Sequence, residues 1–276
     1  MSETGEPPKT INALKKKISN ASGGEPQAHK NARLISMVVL SQMMPAGAIK
    51  GGTAMKIRMG VTTTRFSLDL DVARKNDLAN FFEELEANLR AGWNNFTGII
   101  EVGSKPTPRG VPHEYVMQPY KVKLRYKGSE WMNVTLEVGH DELGDTSDAQ
   151  LRMAQEITDL FIAVGLPAPA PVALLAPKHQ IAQKLHATSS AGSERAHDLV
   201  DLQLLVFNES VDYTDVRATC ERLFPHRKRH PWPPKVVANE NWDSLYLEAA
   251  DGMDVLPSVD EAVTWVNELI ERICSA

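Results

Sequence analysis

The N-terminal part of the chain carries apolar side chains at the three- and four-residue spacing that predicts helices with one buried face. Ile11, Leu14 and Ile18 share one side of a short amphipathic segment. A second helical pattern covers 26–44, where a proline occupies an acceptable first-turn position. Apart from the short helix, residues 1–25 are mostly polar, and we predict a flexible tail there.

Further along the chain, alternation of apolar and polar positions predicts strands. One strand is predicted over 46–49, a short helix over 53–60 and a second strand over 67–73. Asn76 is then placed to cap a helix whose apolar residues recur at helical spacing from Leu78 onward.

The β-rich part covers 96–103 and 114–140, and its clearest feature is a hairpin that turns near Gly128. Its first strand alternates between apolar or aromatic residues on one face and cations on the other, namely Tyr120, Val122, Leu124 and Tyr126 against Lys121, Lys123, Arg125 and Lys127. A cationic strand face is a candidate surface for nucleic acid, and a plain solvated face is the alternative.

After Asp148 the pattern is mainly helical, with helices predicted over 148–163, 177–190, 194–208, 214–223 and 259–273. Ser258, with a glutamate three residues later, predicts a capping box for the last of them. Residues 160–177 are apolar enough to suggest a membrane span, but Gly165 and four prolines would break any single helix. We predict a helix end, a connector and a short buried strand there instead.

These elements together predict an α+β fold in which an α/β half with a small mixed sheet precedes a helical half. The predicted organisation is a tail over 1–25, an α/β domain over 26–145 and a helical domain over 146–276. We find no internal repeat in the sequence.

Composition narrows the classes of partner and compartment. The chain has 276 residues, 42% of them hydrophobic and 24% charged, as in ordinary globular proteins. Its net charge of −5 gives no general attraction to nucleic acid, so any such contact requires a local basic patch. Cys220 and Cys274 lack metal-ligand spacing and are typical of a reducing compartment. We expect a cytoplasmic protein without a membrane segment.

The sequence "SLDLDVA" contains the most suggestive chemical pattern, Asp69 and Asp71 on a predicted strand. Residues two apart on a strand project from the same face, so both carboxylates can reach one metal cluster. Oxygen-ligated Mg²⁺ is the ion that nucleoside triphosphates require. A solvated strand face is the simpler interpretation of an isolated Asp-x-Asp.

A candidate phosphate-binding turn precedes this strand. Gly51 and Gly52 remove side chains where the backbone must approach an anion, and Thr53 begins a helix whose N–H groups favour negative charge. Arg65 could hold a phosphate with two hydrogen bonds, and Ser67 shares the strand face of the aspartates. A tight turn, a surface arginine and a strand-edge serine are the alternatives.

A second group of candidates lies on two C-terminal helices. Lys184 sits within an apolar helical pattern, either extending along the surface or directed into the site to hold phosphate charge. Asp198 and Asp201 are three apart and therefore share a helical face. They form a solvated stripe, cap neighbouring groups or supply one further metal-site carboxylate, and Arg195 is the obvious structural partner of Asp198.

Two stretches together resemble the AbiEii/AbiGii-type nucleotidyltransferase toxin family, whose relatives include the mycobacterial MenT toxins: "KGGTAMKIRMGVTTTRFSLDLDVA" and "LAPKHQIAQKLHATSSAGSERAHDLVDLQLL". The family pattern has a Gly-Gly/Ser-Thr stretch, Arg-x-Ser-x-Asp-x-Asp, a lysine-bearing helix and a helix with Asp-Leu-x-Asp-Leu. All four occur here in that order, and the resemblance covers roughly residues 30–210.

The resemblance implies a polymerase-β-like nucleotidyltransferase domain and a helical C-terminal domain that contributes to the site. Asp69 and Asp71 would be ligands of Mg²⁺ or Mn²⁺, Lys184 the triphosphate-binding or base-catalytic lysine, and Asp198 an additional carboxylate. Ser67 matches the serine that in some relatives is phosphorylated by the antitoxin encoded alongside. Some members of the family transfer nucleotides to the 3′ end of tRNA.

Two points of the pattern stay open. The family has an acidic or small residue before the first aspartate where this chain has Leu68, whose side chain should face away from the site. The carboxylate that completes the set is Asp198, Asp201 or Glu137, the last on a strand where many relatives in the wider superfamily keep their third acid.

The resulting hypothesis is a Mg²⁺-dependent nucleotidyltransferase toxin that moves NMP from an NTP onto an RNA 3′ hydroxyl. Its RNA would bind the cationic strand face or the segment "RLFPHRKRHPWPP" at 222–234, where cations accompany histidines and a tryptophan. The alternatives are a nucleotide-binding module that acts through a partner, and a transferase or kinase that modifies a protein.

Overall fold

The computed structural model describes residues 6–65, 69–103 and 119–276. The chain divides into two compact units, and its path passes between them more than once. The first unit contains Met1–Gly60 and Phe66–Leu174, and the second contains Val61–Arg65 and Leu175–Ala276. The five-residue segment that ends at Arg65 therefore belongs with the C-terminal helices.

The first unit combines helices with all seven strands found in the described ranges. Its elements in chain order are α1 (Ile11–Ala21), α2 (Glu25–Ser41), β1 (Gly47–Lys50), α3 (Gly51–Met59), β2 (Asp69–Arg74), α4 (Leu78–Ala91), β3 (Phe96–Val102), β4 (Pro119–Tyr126), β5 (Ser129–His140), β6 (Gln150–Arg152), α5 (Gln155–Ala163) and β7 (Val172–Leu174).

The strands form one mixed sheet in the order β3-β4-β5-β2-β1-β7-β6. β2 lies at its centre, parallel to β5 and antiparallel to β1. This register places Asp71 opposite Lys50 on one side and Glu137 on the other, and it places Asp69 opposite Thr135. Directly opposed residues point to the same face of a sheet, so the register decides which side chains can share a site.

The β4–β5 hairpin confirms the predicted alternation. Val122, Leu124 and Tyr126 are 0–2% exposed on the core face of β4, whereas Lys121 and Arg125 on the other face are exposed. The turn lies at Gly128, whose φ of +80° is a left-handed conformation that glycine adopts without steric cost. The apolar residues that the alternation assigns to one face of β4 are thus the ones that are buried.

The second unit is helical among its described residues, with elements α6 (Pro177–Thr188), α7 (His197–Asn208), α8 (Tyr213–Arg227), α9 (Trp242–Ala250) and α10 (Val259–Ser275). Four of these helices confirm predictions, and α9 was not predicted. Ser258 caps α10 as predicted: its hydroxyl accepts the Glu261 backbone N–H at 3.3 Å, which is one of the two bonds of a capping box, and lies 3.1 Å from Glu261 Oε1.

Two local predictions were wrong. The helix predicted over 148–163 begins only at Gln155, because β6 first pairs with β7 and completes the edge of the sheet. The cap of α4 is Asp77 rather than Asn76, since the Asp77 carboxylate accepts the N–H groups of Ala79 and Asn80 at 3.0 Å. A carboxylate one residue further on competes successfully for the same N–H groups.

The structure confirms a mixed α+β fold. The sheet continues past residue 145 to include β6 and β7, and the first compact unit ends at Leu174. The predicted domain limits at 25 and 145 remain predictions about organisation. In the apolar 160–177 region β7 is the expected short strand, and no helix in the described ranges is long and apolar enough to span a membrane.

Candidate functional site

The central strand carries the predicted metal-binding pair. Asp69 and Asp71 lie on β2 with partly exposed side chains, while Leu70 and Val72 between and after them are 0–1% exposed in the core. The apolar residues therefore fix which face of β2 turns inward. Both carboxylates project from the opposite face, as the two-residue period of a strand requires.

Gly51 creates the space that Asp71 occupies. Its φ is +67°, and a Cβ built at this position would overlap the Asp71 carboxylate. Because α3 begins at Gly51, the carboxylate approaches the positive end of that helix. A glycine is required here both for the backbone conformation and for the close approach of the acid.

Thr53 holds the strand that bears the acids. Its side chain is 0% exposed, and its hydroxyl donates to the Asp69 backbone carbonyl at 2.7 Å. The hydroxyl thus joins the first turn of α3 to the first residue of β2. This bond positions the Asp69 backbone, and phosphate binding by the helix start at Thr53 remains a prediction.

Glu137 is an acid of this unit that shares the face beside Asp71. It lies opposite Asp71 in the parallel pairing of β2 with β5. Within the described ranges no three His, Cys, Asp or Glu side chains are close enough to form a metal-binding group. The donors nevertheless fit Mg²⁺, which proteins usually hold with one or two carboxylates while water and substrate phosphates supply the other ligands.

This corner is flanked by a lysine and by two acids, of which Asp145 is buried and Asp141 is partly exposed. Asp145 is 2% exposed, and burial together with a hydrogen bond to Asp141 raises the pKa of Asp145 to about 7, while the charge of Lys50 opposes that rise. Burial also acts to raise the pKa of Asp141, but hydrogen bonds from Thr146 outweigh it and lower that pKa. The proton of the pair therefore resides on Asp145.

Lys50 reaches this pair along the acidic face of the sheet. A Cβ on Gly139 would lie 3.1 Å from the Lys50 Nζ, so the ammonium group passes over β5 where that strand has no side chain. Lys50 also stands opposite Asp71 in the register. The lysine before the glycine pair is thus part of the candidate site, a role that the sequence pattern did not suggest.

The second unit contains a buried ionic cluster. Lys184 on α6 donates to Asp198 Oδ1 at 2.8 Å and to Asp201 Oδ2 at 2.6 Å, both on α7. The two aspartates are 0–1% exposed and the lysine side chain is 7% exposed. Lys184 is therefore directed inward rather than along the surface, and the aspartates are not a solvated stripe.

Two arginines complete the cluster. Arg65 donates through Nε and Nη2 to the two Asp201 oxygens at 2.8 and 2.9 Å, and Arg195 Nε donates to Asp198 Oδ2 at 2.7 Å. The predicted structural partnership of Arg195 with Asp198 is confirmed. Three cations face two carboxylates, which leaves one positive charge in the cluster.

The pKa values of the cluster follow from this surplus of cations. Burial acts to raise the pKa of Asp198, but Lys184 and Arg195 outweigh it and hold that pKa well below its usual range. Lys184 and Arg65 similarly lower the pKa of Asp201 against the effect of burial. Burial acts to lower the pKa of Arg65, yet Asp201 raises it overall. Carboxylates held this strongly ionised are weak proton acceptors.

His197 adjoins the cluster without adding charge to it. Burial lowers the pKa of His197 to about 4, and the neighbouring arginines add to that effect while Asp198 opposes it. Its imidazole is therefore neutral at physiological pH, although Nε2 lies 3.8 Å from Asp198 Oδ1.

The predicted residues thus form two groups, one in each compact unit. Asp69, Asp71 and the Gly51 turn are in the first unit, whereas Lys184 and Asp198 are in the second, together with Arg65 and Asp201. Ser67 and Leu68 lie outside the described residues. The predicted convergence of the two groups in one site remains a prediction.

The cationic strand face of β4 lies on the same side of the sheet as the acids. Lys121 pairs with Thr135, which in turn pairs with Asp69, so these three side chains form one row across β4, β5 and β2. Lys123 is the next residue on this face of β4, and its Nζ donates to Glu101 Oε1 on β3 at 2.7 Å. Positive side chains therefore border the acidic corner within the first unit.

A comparison with known protein families identifies the family of the chain. Residues 33–265 match the family of nucleotidyl transferase AbiEii toxins of type IV toxin-antitoxin systems. The chain belongs to this family. The AbiEii match covers both groups of candidate residues, those on β2 and those on α6 and α7.

Solved structures agree with the AbiEii assignment at the level of the fold. The chain is similar to MenT4, a nucleotidyltransferase toxin from Mycobacterium tuberculosis, with a TM-score of 0.56 and 17% identity over 95% of this chain and 98% of that one. A protein from H. pylori aligns with a TM-score of 0.44 and 16% identity over 89% and 98% of the two chains, too weakly to carry an argument. None of the curated proteins matches the sequence.

Proposed function

We propose that this AbiEii-family toxin is a Mg²⁺-dependent nucleotidyltransferase that transfers NMP from an NTP to the 3′ hydroxyl of an RNA, with tRNA as the expected acceptor. The released product is pyrophosphate, and inhibition of growth follows from blocking the RNA end. In this proposal the N-terminal half has the polymerase-β-like arrangement that the sequence pattern implies.

The observation that carries the proposal is the packing of Asp71 against Gly51. The backbone at the start of α3 has no side chain at Gly51, and the Asp71 carboxylate lies against it. Asp69 adds a second carboxylate on the same face of β2. Together they form a compact place for a triphosphate and its ion. A purely structural turn has no need for two partly exposed acids on the central strand.

Each candidate site residue of the first unit would have a role in the reaction. Mg²⁺ bound with the NTP would neutralise phosphate charge and stabilise the oxygens that attack and leave. Asp69 and Asp71 would hold it, Gly51 and Gly52 would leave room for the phosphates, and Thr53 keeps Asp69 in position through its backbone. Glu137 supplies the third carboxylate on the same face of the sheet.

The cluster of the second unit supplies positive charge. Lys184 would neutralise the charge that develops on the leaving pyrophosphate. Asp198 and Asp201 hold its ammonium group in one orientation through bonds of 2.8 and 2.6 Å. With its pKa depressed, Asp198 orients the lysine rather than removing a proton. Arg65 fixes Asp201 from the other side through Nε and Nη2.

The test is incorporation of labelled nucleotide into total tRNA, with each of the four NTPs supplied separately. Asp69→Asn should abolish labelling while leaving the fold intact. Asp159→Asn, which changes an exposed acid on α5, serves as the matched control and should label like the wild type. Equal labelling by wild type and Asp69→Asn would exclude the proposed role of the acids.

Further measurements on the same proteins separate the alternatives. A nucleotide-binding module would bind NTP without releasing pyrophosphate, and its toxicity would persist in Asp71→Asn. A transferase or kinase that acts on a protein would leave the tRNA unlabelled and add mass to a co-expressed partner. Because the family belongs to type IV toxin-antitoxin systems, the first partner to examine is the cognate antitoxin, including whether it modifies Ser67.

A further inference from the structure

A groove on the second unit follows the end of α8. It has a volume of about 710 Å³, within the usual range of ligand-binding sites. The side chains that matter for what it could bind are Lys228, Arg229, His230 and Trp232. They belong to the segment at 222–234, and no residue of the candidate site is among those that line the groove.

The aromatic residues of the groove are held in place by one another. Trp232 contacts Phe224 of α8 edge to face, with ring centroids 5.1 Å apart. His230 contacts Phe224 at 5.2 Å and stacks on His186 of α6 at 4.6 Å. Its Nε2 is also 2.7 Å from the Ser189 hydroxyl. The partly exposed Trp232 ring therefore packs against a buried aromatic side chain before any ligand binds.

One wall of the groove is tied down by Arg217. This side chain bonds Glu221 at 2.9 Å and donates to the backbone carbonyls of Cys274 and Ala276 at 3.0 and 3.3 Å. It thereby fastens α8 to the end of α10. Arg217 is therefore occupied by this structural task.

The charge of the groove is local and positive. The exposed Lys228 and Arg229 follow directly on Arg227, in a chain whose net charge is −5. Burial and the neighbouring Arg229 lower the pKa of His230, so its ring remains neutral. A fixed aromatic face beside cations is the combination with which proteins bind unpaired nucleotides, by stacking on the base and pairing with the phosphate.

We propose that this groove binds an unpaired nucleotide of RNA, with the base on Trp232 and the adjacent phosphates on Lys228 and Arg229. This inference rests on the proposed function in one respect: it takes the bound RNA to be the acceptor of the nucleotide. It gives the acceptor a stated chemical class, namely an RNA with a single-stranded segment.

The experiment measures binding without NTP, so that turnover plays no part. The probe is a fluorescein-labelled single-stranded oligoribonucleotide of about 8 nucleotides, with a blunt RNA hairpin as the comparison ligand. Trp232→Ala should weaken binding of the single strand by roughly 5- to 150-fold, the usual effect of losing one stacked base. Trp232→Phe, which keeps an aromatic face, should retain most of the affinity.

Lys228→Gln tests the phosphate contact independently. It should reduce the slope of log affinity against log salt by about 0.7, the value for one contact to a single strand. Lys16→Gln, which alters an exposed lysine of α1, is the control and should leave the slope unchanged. An unaltered slope in Lys228→Gln would remove that lysine from the proposal.

The wild-type protein provides a measurement that does not depend on a variant folding. A 4-thiouridine oligoribonucleotide should crosslink within residues 228–232, as mapped by mass spectrometry. Adducts confined to other segments, or unchanged affinity in a folded Trp232→Ala, would overturn the groove assignment even if Asp69-dependent labelling of tRNA succeeds. Binding in the groove without any labelling would instead refute the proposed transferase and leave the RNA site standing.

Discussion

Two pairs of aspartates, one on a strand and one on a helix, have similar sequence patterns but different surroundings. Asp69 and Asp71 stay partly exposed on the central strand, beside a helix start that lacks side chains. Asp198 and Asp201 are almost fully buried, and their oxygens receive bonds from one lysine and two arginines. In the proposed function the first pair takes up an ion with its substrate, whereas the second pair orients a lysine and is compensated by the protein's own cations.

The difference teaches that spacing alone does not assign chemistry to a carboxylate. A carboxylate that binds a metal needs oxygen lone pairs facing a space that water and phosphate can enter. A carboxylate that orients a lysine needs the opposite, a dry and fully bonded environment. Mutations in the two pairs should therefore fail in different ways, activity being lost in one and stability in the other.

The largest expected effect is on activity at the strand pair. Asp71→Asn should reduce nucleotide transfer by about 1,000-fold or more, because a metal ligand contributes several kcal/mol to the transition state. The thermal midpoint should change little, since this acid is partly exposed. Transfer assays and thermal unfolding of the same preparations check both parts. A large fall in the midpoint would contradict the proposed division between the pairs.

The next effect is on stability at the helix pair. Lys184→Met should lower the free energy of unfolding by about 3–5 kcal/mol, because it leaves two buried carboxylates undercompensated. Urea unfolding measures the change, and Lys16→Met at an exposed position of α1 should lie within about 0.5 kcal/mol of the wild type. A Lys184→Met protein as stable as the wild type would contradict the structural role of the lysine and leave only its proposed role on the leaving pyrophosphate.

A smaller effect is expected at the turn that supports Asp71. Gly51→Ala should destabilise the protein by about 1–3 kcal/mol, from backbone strain and from the collision with the carboxylate. Gly128→Ala is the matched control, because Gly128 also has a positive φ but nothing lies within 4 Å of an added Cβ. The excess loss in Gly51→Ala, in stability and in transfer rate, isolates the contact with Asp71. Equal losses would show that only the φ matters.

The smallest effect concerns pH and the buried Asp145. Its folded-state pKa of about 7 exceeds the ordinary aspartate value of 3.8, so the native state holds the extra proton between those values. Its stabilising contribution is complete below about pH 4 and is lost as pH rises through 7. Asp145→Asn, which mimics the protonated form, should gain roughly 2 kcal/mol relative to wild type between pH 5 and pH 8.

Urea unfolding at the two pH values measures this gain, with the exposed Asp159→Asn as the reference. A difference between Asp145→Asn and wild type that does not change with pH would mean that Asp145 is already ionised throughout this range.

Much of the fold could be predicted because apolar periodicity reports burial directly. The hairpin around Gly128 and the helices α6, α7 and α10 follow from local spacing, turn residues and caps. The strand β6 could not be predicted in this way. Its three residues are intermediate or exposed, and they form a strand only because β7, distant along the chain, offers a free edge.

The candidate site was predictable to the extent that its chemistry is local in sequence. The Asp-x-Asp pattern and the glycine pair were found because each is a short motif. Lys50 and the Asp141–Asp145 pair were missed, since their role depends on register and on a loop that folds back beside β1. Asp201 was considered as a further metal ligand, and only the coordinates of the second unit reveal its bond to Arg65.

Residues 61–65 belong to the C-terminal unit, although the chain on both sides of them belongs to the first unit. A gene cut after the codon for Leu174 would give an N-terminal fragment whose Arg65 lacks its carboxylate, and a C-terminal fragment whose Asp201 lacks its guanidinium. Each fragment would therefore lack one partner of this buried ion pair, so a division of the protein into its two units must carry residues 61–65 with the C-terminal helices.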